Sequence, residues 1–231
     1  MRTIGLLGGV SWHSTATYYD LINRGVAKRL GPFRSAELVL HSIDYGHVRA
    51  ARSDGNFKRL GAHITAACRG LQRAGADGIF LCSNTIHRYA PRIESQVSIP
   101  LLHIADALAD RANDQGIDTL ALFGTAFTMT QPFYRDRLSA RGIRVLTPNA
   151  ATIAELNTVV LEELTAGVIR DPSRQRFLDA MEGLTAQGAQ AMVLGCTEIG
   201  LLVRQEHVDV PVLDTTEIHA SAAVDWALAE G

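Results

Sequence analysis

The sequence predicts an α/β fold of two similar halves, each a four-stranded parallel sheet covered by helices, related by pseudo-twofold symmetry. Three observations predict it. Short apolar runs alternate with longer amphipathic stretches along the whole chain. Glycines at 31, 75, 116, 142 and 188 fall just before the next apolar run. Finally, the second half of the chain repeats the first. Runs that are apolar throughout, separated by helices, belong to parallel sheets buried on both faces, and a glycine at the helix end supplies the turn into the next strand.

Taken in order, the expected strands are Thr3–Leu7, Glu37–Ile43, Gly78–Cys82, Ile99–Leu102, Thr119–Phe123, Ile143–Leu146, Ala191–Leu194 and Val210–Leu213. Between them, Tyr18, Leu21, Ile22 and Val26 share one helical face, as do Leu60, Ile64, Ala67 and Leu71. The repeat pairs Thr3–Gly9 with Thr119–Thr125, Gly75–Thr85 with Gly188–Glu198, and Ile99–Leu102 with Val210–Leu213, at offsets of 116, 113 and 111 residues in one consistent order. The halves are expected to comprise 1–98 with 208–231, and 99–207.

Composition removes several function classes. In 231 residues, 47% are hydrophobic and 20% charged, the balance of a globular chain with ample core material. Lys+Arg 22 against Asp+Glu 24 leaves a formal charge of −2, so no basic surface for nucleic acid is expected. No apolar run reaches the ~18 residues of a membrane span. The N-terminus enters the first strand without a charged leader, and three cysteines make no disulfide framework; a cytoplasmic location is expected. The only lysines, Lys28 and Lys58, lie in charged helix flanks, which disfavours pyridoxal chemistry. Gly5-Leu6-Leu7-Gly8-Gly9 matches no phosphate-binding loop, and the eight histidines are scattered without ligand spacing. No cofactor and no metal are expected.

Open α/β sheets bind ligands beyond the carboxyl ends of their strands. In a two-half protein this places a small-molecule site in the cleft between the halves. The residues leaving those ends are Val10-Ser11, Ser83-Asn84-Thr85, Thr125 and Cys196-Thr197-Glu198. The repeat makes Ser83 and Cys196 equivalent, on opposite sides of one ligand. A thiol at such a turn is placed to react, and the surrounding hydroxyls and amides suit a carboxylate. Cys68, in a helix, and Cys82, turned away from Ser83 by strand alternation, read as core residues.

Gly8-Gly9-Val10-Ser11-Trp12-His13-Ser14-Thr15, Leu81-Cys82-Ser83-Asn84-Thr85-Ile86-His87 and Leu194-Gly195-Cys196-Thr197-Glu198-Ile199-Gly200 resemble the PLP-independent aspartate/glutamate racemase superfamily. The likeness covers the whole chain, including Gly124–Met129 and Pro211–Thr215, and is nearest the broad amino-acid racemases. It implies an isomerase with two cysteines as acid and base on opposite faces of the substrate α-carbon, the second at Cys196 and the first at the position of Ser83. A hydroxyl there implies a preference for L-amino acids such as aspartate or glutamate; equilibrium favours neither enantiomer, so the preference is kinetic. The resemblance further implies an α-carboxylate clamp at Asn84, Thr85 and Thr197, with Val10, Ser11, Thr125 and Thr128 lining the pocket. It implies Arg52 as reader of the distal side chain, and a homodimer. Glu198 either polarises the thiol or caps the following helix, and His87 packs or caps rather than titrates. Two alternatives stay open: a single-cysteine decarboxylase of the arylmalonate type, and a weakly active amino-acid-binding homologue.

Overall fold

A computed structural model describes residues 1–229, with Arg52 described in its backbone only. Its contacts divide the chain into two units, one formed by Met1–Ile104 and the chain from His219 onward, the other by Ala105–Ile218.

The first unit runs β1 (Ile4–Gly8), α1 (Trp12–Leu30), β2 (Leu38–Ser42), α2 (Tyr45–Asp54), α3 (Phe57–Arg73), β3 (Gly78–Leu81), a 3-10 helix at Thr85–Tyr89, α4 (Ala90–Glu94) and β4 (Leu101–Leu102). The next helix, α5 (Ile104–Asp114), carries the chain out of it. The second unit follows with β5 (Thr119–Phe123), α6 (Ala126–Thr130), α7 (Pro132–Ser139), β6 (Arg144–Leu146), α8 (Ala150–Thr158), α9 (Asp171–Thr185), β7 (Ala191–Leu194), α10 (Ile199–Leu202) and β8 (Val212–Asp214). Helix α11 (Thr215–Leu228) then carries the chain back.

Both sheets are parallel and have the same topology, β2-β1-β3-β4 and β6-β5-β7-β8. The repeat persists in the hydrogen bonds. Ile79 N–H donates to Pro100 O and Met192 N–H to Pro211 O, both at 2.8 Å. Cys82 N–H donates to Leu7 O, and Gly195 N–H to Phe123 O, at 2.9 and 2.6 Å. Gly75 and Gly188, ending the helices before β3 and β7, have φ of 91° and 96°, which an L side chain adopts only under strain.

Differences from expectation lie at the ends. Strands β4 and β8 begin after their prolines, which have no N–H to give a ladder. Residues 99–104 stay with the first unit because β4 pairs with β3, whereas 208–218 stay with the second because β8 pairs with β7. Each sheet is covered on both faces. One side of β1 and β3 packs Leu7, Ile79 and Leu81 against Ile64, Cys68 and Leu71 of α3. The other packs Ile4, Leu6 and Phe80 against Tyr18, Ile22 and Val26 of α1 and Ala220, Ala223 and Val224 of α11. Burying each such Leu, Ile, Val or Phe side chain contributes about 1.5–3 kcal/mol, so the strand ends stand on a close-packed base.

Candidate active site

In each sheet the chain reverses its direction of winding between the first strand laid down and the third. Beyond the carboxyl ends at such a point lies the crevice that open α/β sheets use for ligands. The sequence-derived candidates leave β1 and β3 in the first unit and β5 and β7 in the second.

After β1 the turn is cramped. Gly9 has φ +91°, and a Cβ there would lie 2.0 Å from Ile43 O. A Cβ on Gly8 would lie 2.3 Å from Thr15 Cγ2. Thr15 Oγ1 accepts from Gly9 N–H at 3.0 Å and donates to Ser11 O at 2.9 Å, tying the turn to α1. Val10 is buried. Ser11 is the N-cap of α1, its Oγ accepting from Ser14 N–H at 3.3 Å, so its hydroxyl already has a structural task.

After β3, Cys82 lies in the core beside Phe80 and Tyr18, and burial pushes its thiol well above the ordinary range. Cys68 is likewise buried in α3, its thiol pushed up to about 12. Ser83 is half-buried, with Oγ 3.2 Å from Thr85 Oγ1. Asn84 is buried and Thr85 half-buried at the start of the 3-10 helix. Arg52 falls in α2, and its side chain lies outside the described residues.

In the second unit Thr125 caps α6, its Oγ1 accepting from Thr128 N–H at 3.4 Å and lying 3.2 Å from Thr128 Oγ1. Thr128 is buried. Beyond β7, Cys196 is half-buried and its Sγ–H donates to Glu198 Oε2 at 2.8 Å. Thr197 Oγ1 donates to the same oxygen at 2.8 Å. Desolvation first, then the adjoining Glu198 carboxylate, pushes this thiol well above its ordinary range. In this arrangement the proton is on sulfur, and Glu198 is the group positioned to receive it. Glu198 stands at the N-cap position of α10 but makes no side-chain cap there; its carboxylate is bonded to Cys196 and Thr197 instead.

Two further residues stand beside these turns; Asn157 carries no signal in the sequence, and Asp214 lies in the family-like Pro211–Thr215 stretch without a role assigned to it. Asn157 Oδ1 accepts from Ala126 N–H at 2.8 Å and steadies the turn after β5. Asp214, ending β8, accepts from Thr216 N–H at 2.7 Å, and burial raises its carboxyl to about 6. Its charge also disfavours the Cys196 thiolate. An open depression of about 860 Å³ beside Arg2, Asp77, Pro100 and Trp226 lies at the amino ends of β1 and β3, the wrong end for this chemistry.

The Asp/Glu/hydantoin racemase family model matches residues 7–223. A broad-specificity amino-acid racemase of Bacillus subtilis strain 168 is 24% identical over 239 residues, covering 98% of each chain. Among solved structures, a candidate Asp/Glu racemase from Yersinia pestis superposes with TM-score 0.95 at 43% identity, over 99% of this chain and 100% of that one. An aspartate racemase homologue from Pyrococcus horikoshii gives 0.88 at 29% identity, over 99% and 100%.

Proposed function

This chain belongs to the Asp/Glu/hydantoin racemase family, and on that premise we propose that it is a cofactor-independent amino-acid racemase acting on aspartate, glutamate or a similar L-amino acid. Ser83 and Cys196 serve opposite faces of one α-carbon. The observation carrying this reading is their equivalence: each is the residue after the N–H that closes the same hydrogen bond, Cys82 to Leu7 and Gly195 to Phe123.

Proton movement follows from the groups at the two strand ends. Glu198 Oε2 takes the thiol proton and leaves a thiolate. The thiolate removes the α-proton of the L-enantiomer. The resulting carbanion is held by donors on the substrate carboxylate, drawn from Asn84, Thr85 and Thr197, with Val10, Ser11, Thr125 and Thr128 around them; donors aimed at developing charge are worth several kcal/mol. The Ser83 hydroxyl returns a proton to the opposite face; the alkoxide left behind takes a proton from water, and Glu198 gives up the thiol proton to water, which restores both groups. Because the hydroxyl ionises far less readily than a thiol, its base form is scarce, and it serves poorly in the reverse direction. The equilibrium constant is one, so kcat/KM is equal in both directions, and the L preference lies in kcat and KM separately. Arg52 in α2 is the proposed partner of a distal carboxylate, as a guanidinium binds carboxylates bidentately. A cytoplasmic homodimer completes the reading, the former supported by three free cysteines.

Dialysed protein given L- and D-amino acids without additions tests this by chiral chromatography. Interconversion of the acidic pair is expected; activity restored only by pyridoxal phosphate or a metal would overturn it. One observation favours a second reading. Cys196 is not buried whereas Cys68 and Cys82 are, which also suits single-thiol decarboxylation of a malonate. Carbon dioxide released from an arylmalonate, with no racemisation, would select it.

A further inference from the structure

His87 is the third residue of the 3-10 helix Thr85–Tyr89 that follows β3 and is 1% exposed. Its ring nitrogens have different partners. Ile104 N–H points at Nε2 from 3.2 Å. A backbone N–H can only donate, so Nε2 carries no proton. Nδ1 therefore holds the ring hydrogen and donates it to Ser83 O at 2.9 Å. Ile104 opens α5, and its N–H is one of the four that a helix leaves without an internal acceptor. A single neutral imidazole thus joins the turn after β3 to the first residue of α5.

The ring is held from its sides as well. His103 lies 4.4 Å away between centroids and His219 5.7 Å. His219 Nε2 lies 2.9 Å from Leu102 O, which only accepts, so Nε2 donates there and Nδ1 accepts from Tyr18 O–H at 2.9 Å. The second imidazole is likewise fixed in one tautomer.

The Ser83 carbonyl and the Asn84 N–H belong to one planar trans peptide and point in opposite directions. Holding the carbonyl therefore aims the N–H. We propose that His87 is a positioning residue which, through Nδ1–H, fixes the peptide plane after Ser83 and so aims the Asn84 N–H. It exchanges no proton with substrate. The inference rests on the proposed function, in which Ser83 reprotonates one face and Asn84 holds the carboxylate.

Two substitutions separate the two bonds. In His87→Asn the side-chain amide NH2 can replace the Nδ1–H donor. In His87→Gln the longer amide can replace the Nε2 acceptor but not the donor to Ser83. Racemisation and deuterium entry into the L-substrate are both measured in heavy water at saturating substrate. His87→Asn is expected to racemise within about three-fold of the parent. His87→Gln is expected to lose at least ten-fold in both racemisation and L-side exchange, because the carboxylate that the Asn84 N–H holds is present in both, while His87→Asn keeps both near the parent. A purely structural role would lower both rates together in both variants, and that result overturns the inference while leaving the racemase reading intact. A parent protein inert in both assays would overturn the racemase reading and the inference with it. The 15N spectrum of the parent gives a measurement independent of any variant. His87 with protonated Nδ1 and bare Nε2 is expected, and the opposite tautomer or the imidazolium would refute the inference.

Discussion

At the scale of single residues, the proposed chemistry is divided between two positions that differ in acidity. Cys196 carries a thiol already bonded to a carboxylate, whereas Ser83 carries a hydroxyl bonded to another hydroxyl. Replacing Ser83 by Cys is expected to speed α-proton exchange from the D-enantiomer at least ten-fold, because a thiol ionises far more readily than a hydroxyl and so supplies a base near neutral pH. Cys82→Ala is expected to leave L-side exchange within about two-fold and to cost on the order of 1 kcal/mol of stability as a small cavity forms. Loss of activity in Cys82→Ala with no change in Ser83→Cys would show that Cys82 is the acid. Glu198 makes a separate prediction. Its negative charge disfavours the thiolate, so Glu198→Gln should move Cys196 alkylation by iodoacetamide to lower pH, while racemisation falls for want of an acceptor for the thiol proton. An upward shift, or none, would contradict this account.

At the scale of elements, the junction of β8 and α11 carries a charge in an unfavourable place. Burial raises Asp214 to about 6 from an ordinary value of 3.8. A raised carboxyl stabilises the folded protein fully below pH 3.8, and that contribution is lost as pH rises through about 6. At 1.36 kcal/mol per pKa step, the loss is on the order of 3 kcal/mol. Asp214→Asn keeps an oxygen for the Thr216 N–H and lacks the charge. Denaturation curves from pH 4 to pH 8 should show the variant gaining on the parent as pH rises; parallel curves would exclude the effect. This junction also shows what was legible in the sequence. Strand periodicity located Val10, Ser83, Thr125 and Cys196 at strand ends because those positions depend only on local pattern. The partnership of Glu198 with Cys196 depends on how one turn bends, and that of His87 with Ile104 on where β4 returns 17 residues later. Neither leaves a periodic trace. The prolines at 100 and 211 did mark β4 and β8, yet each strand starts just beyond its proline.

At the scale of the whole molecule, the repeat is the organising fact. Two sheets of identical strand order, with matching hydrogen bonds at their ends, mean that a residue type at one strand end has a counterpart 113 positions away. The sequence showed this at offsets of 111 to 116, which is why the fold class followed from the chain alone. Unit boundaries were less accessible, since they depend on which strand β4 and β8 each pair with. Among the described residues, no helix is long and apolar enough to cross a membrane. The central claim is that two different residues, one from each repeat, exchange protons with the two faces of one α-carbon. Its most direct test is an early-turnover reaction of an unlabelled L-amino acid in heavy water. The account predicts that the first D-product carries deuterium at Cα, because its hydrogen comes from the Ser83 side. It also predicts that Cys196→Ala forms no such product. First-formed D-product that retains the original protium would mean that one group serves both faces, and would contradict the account.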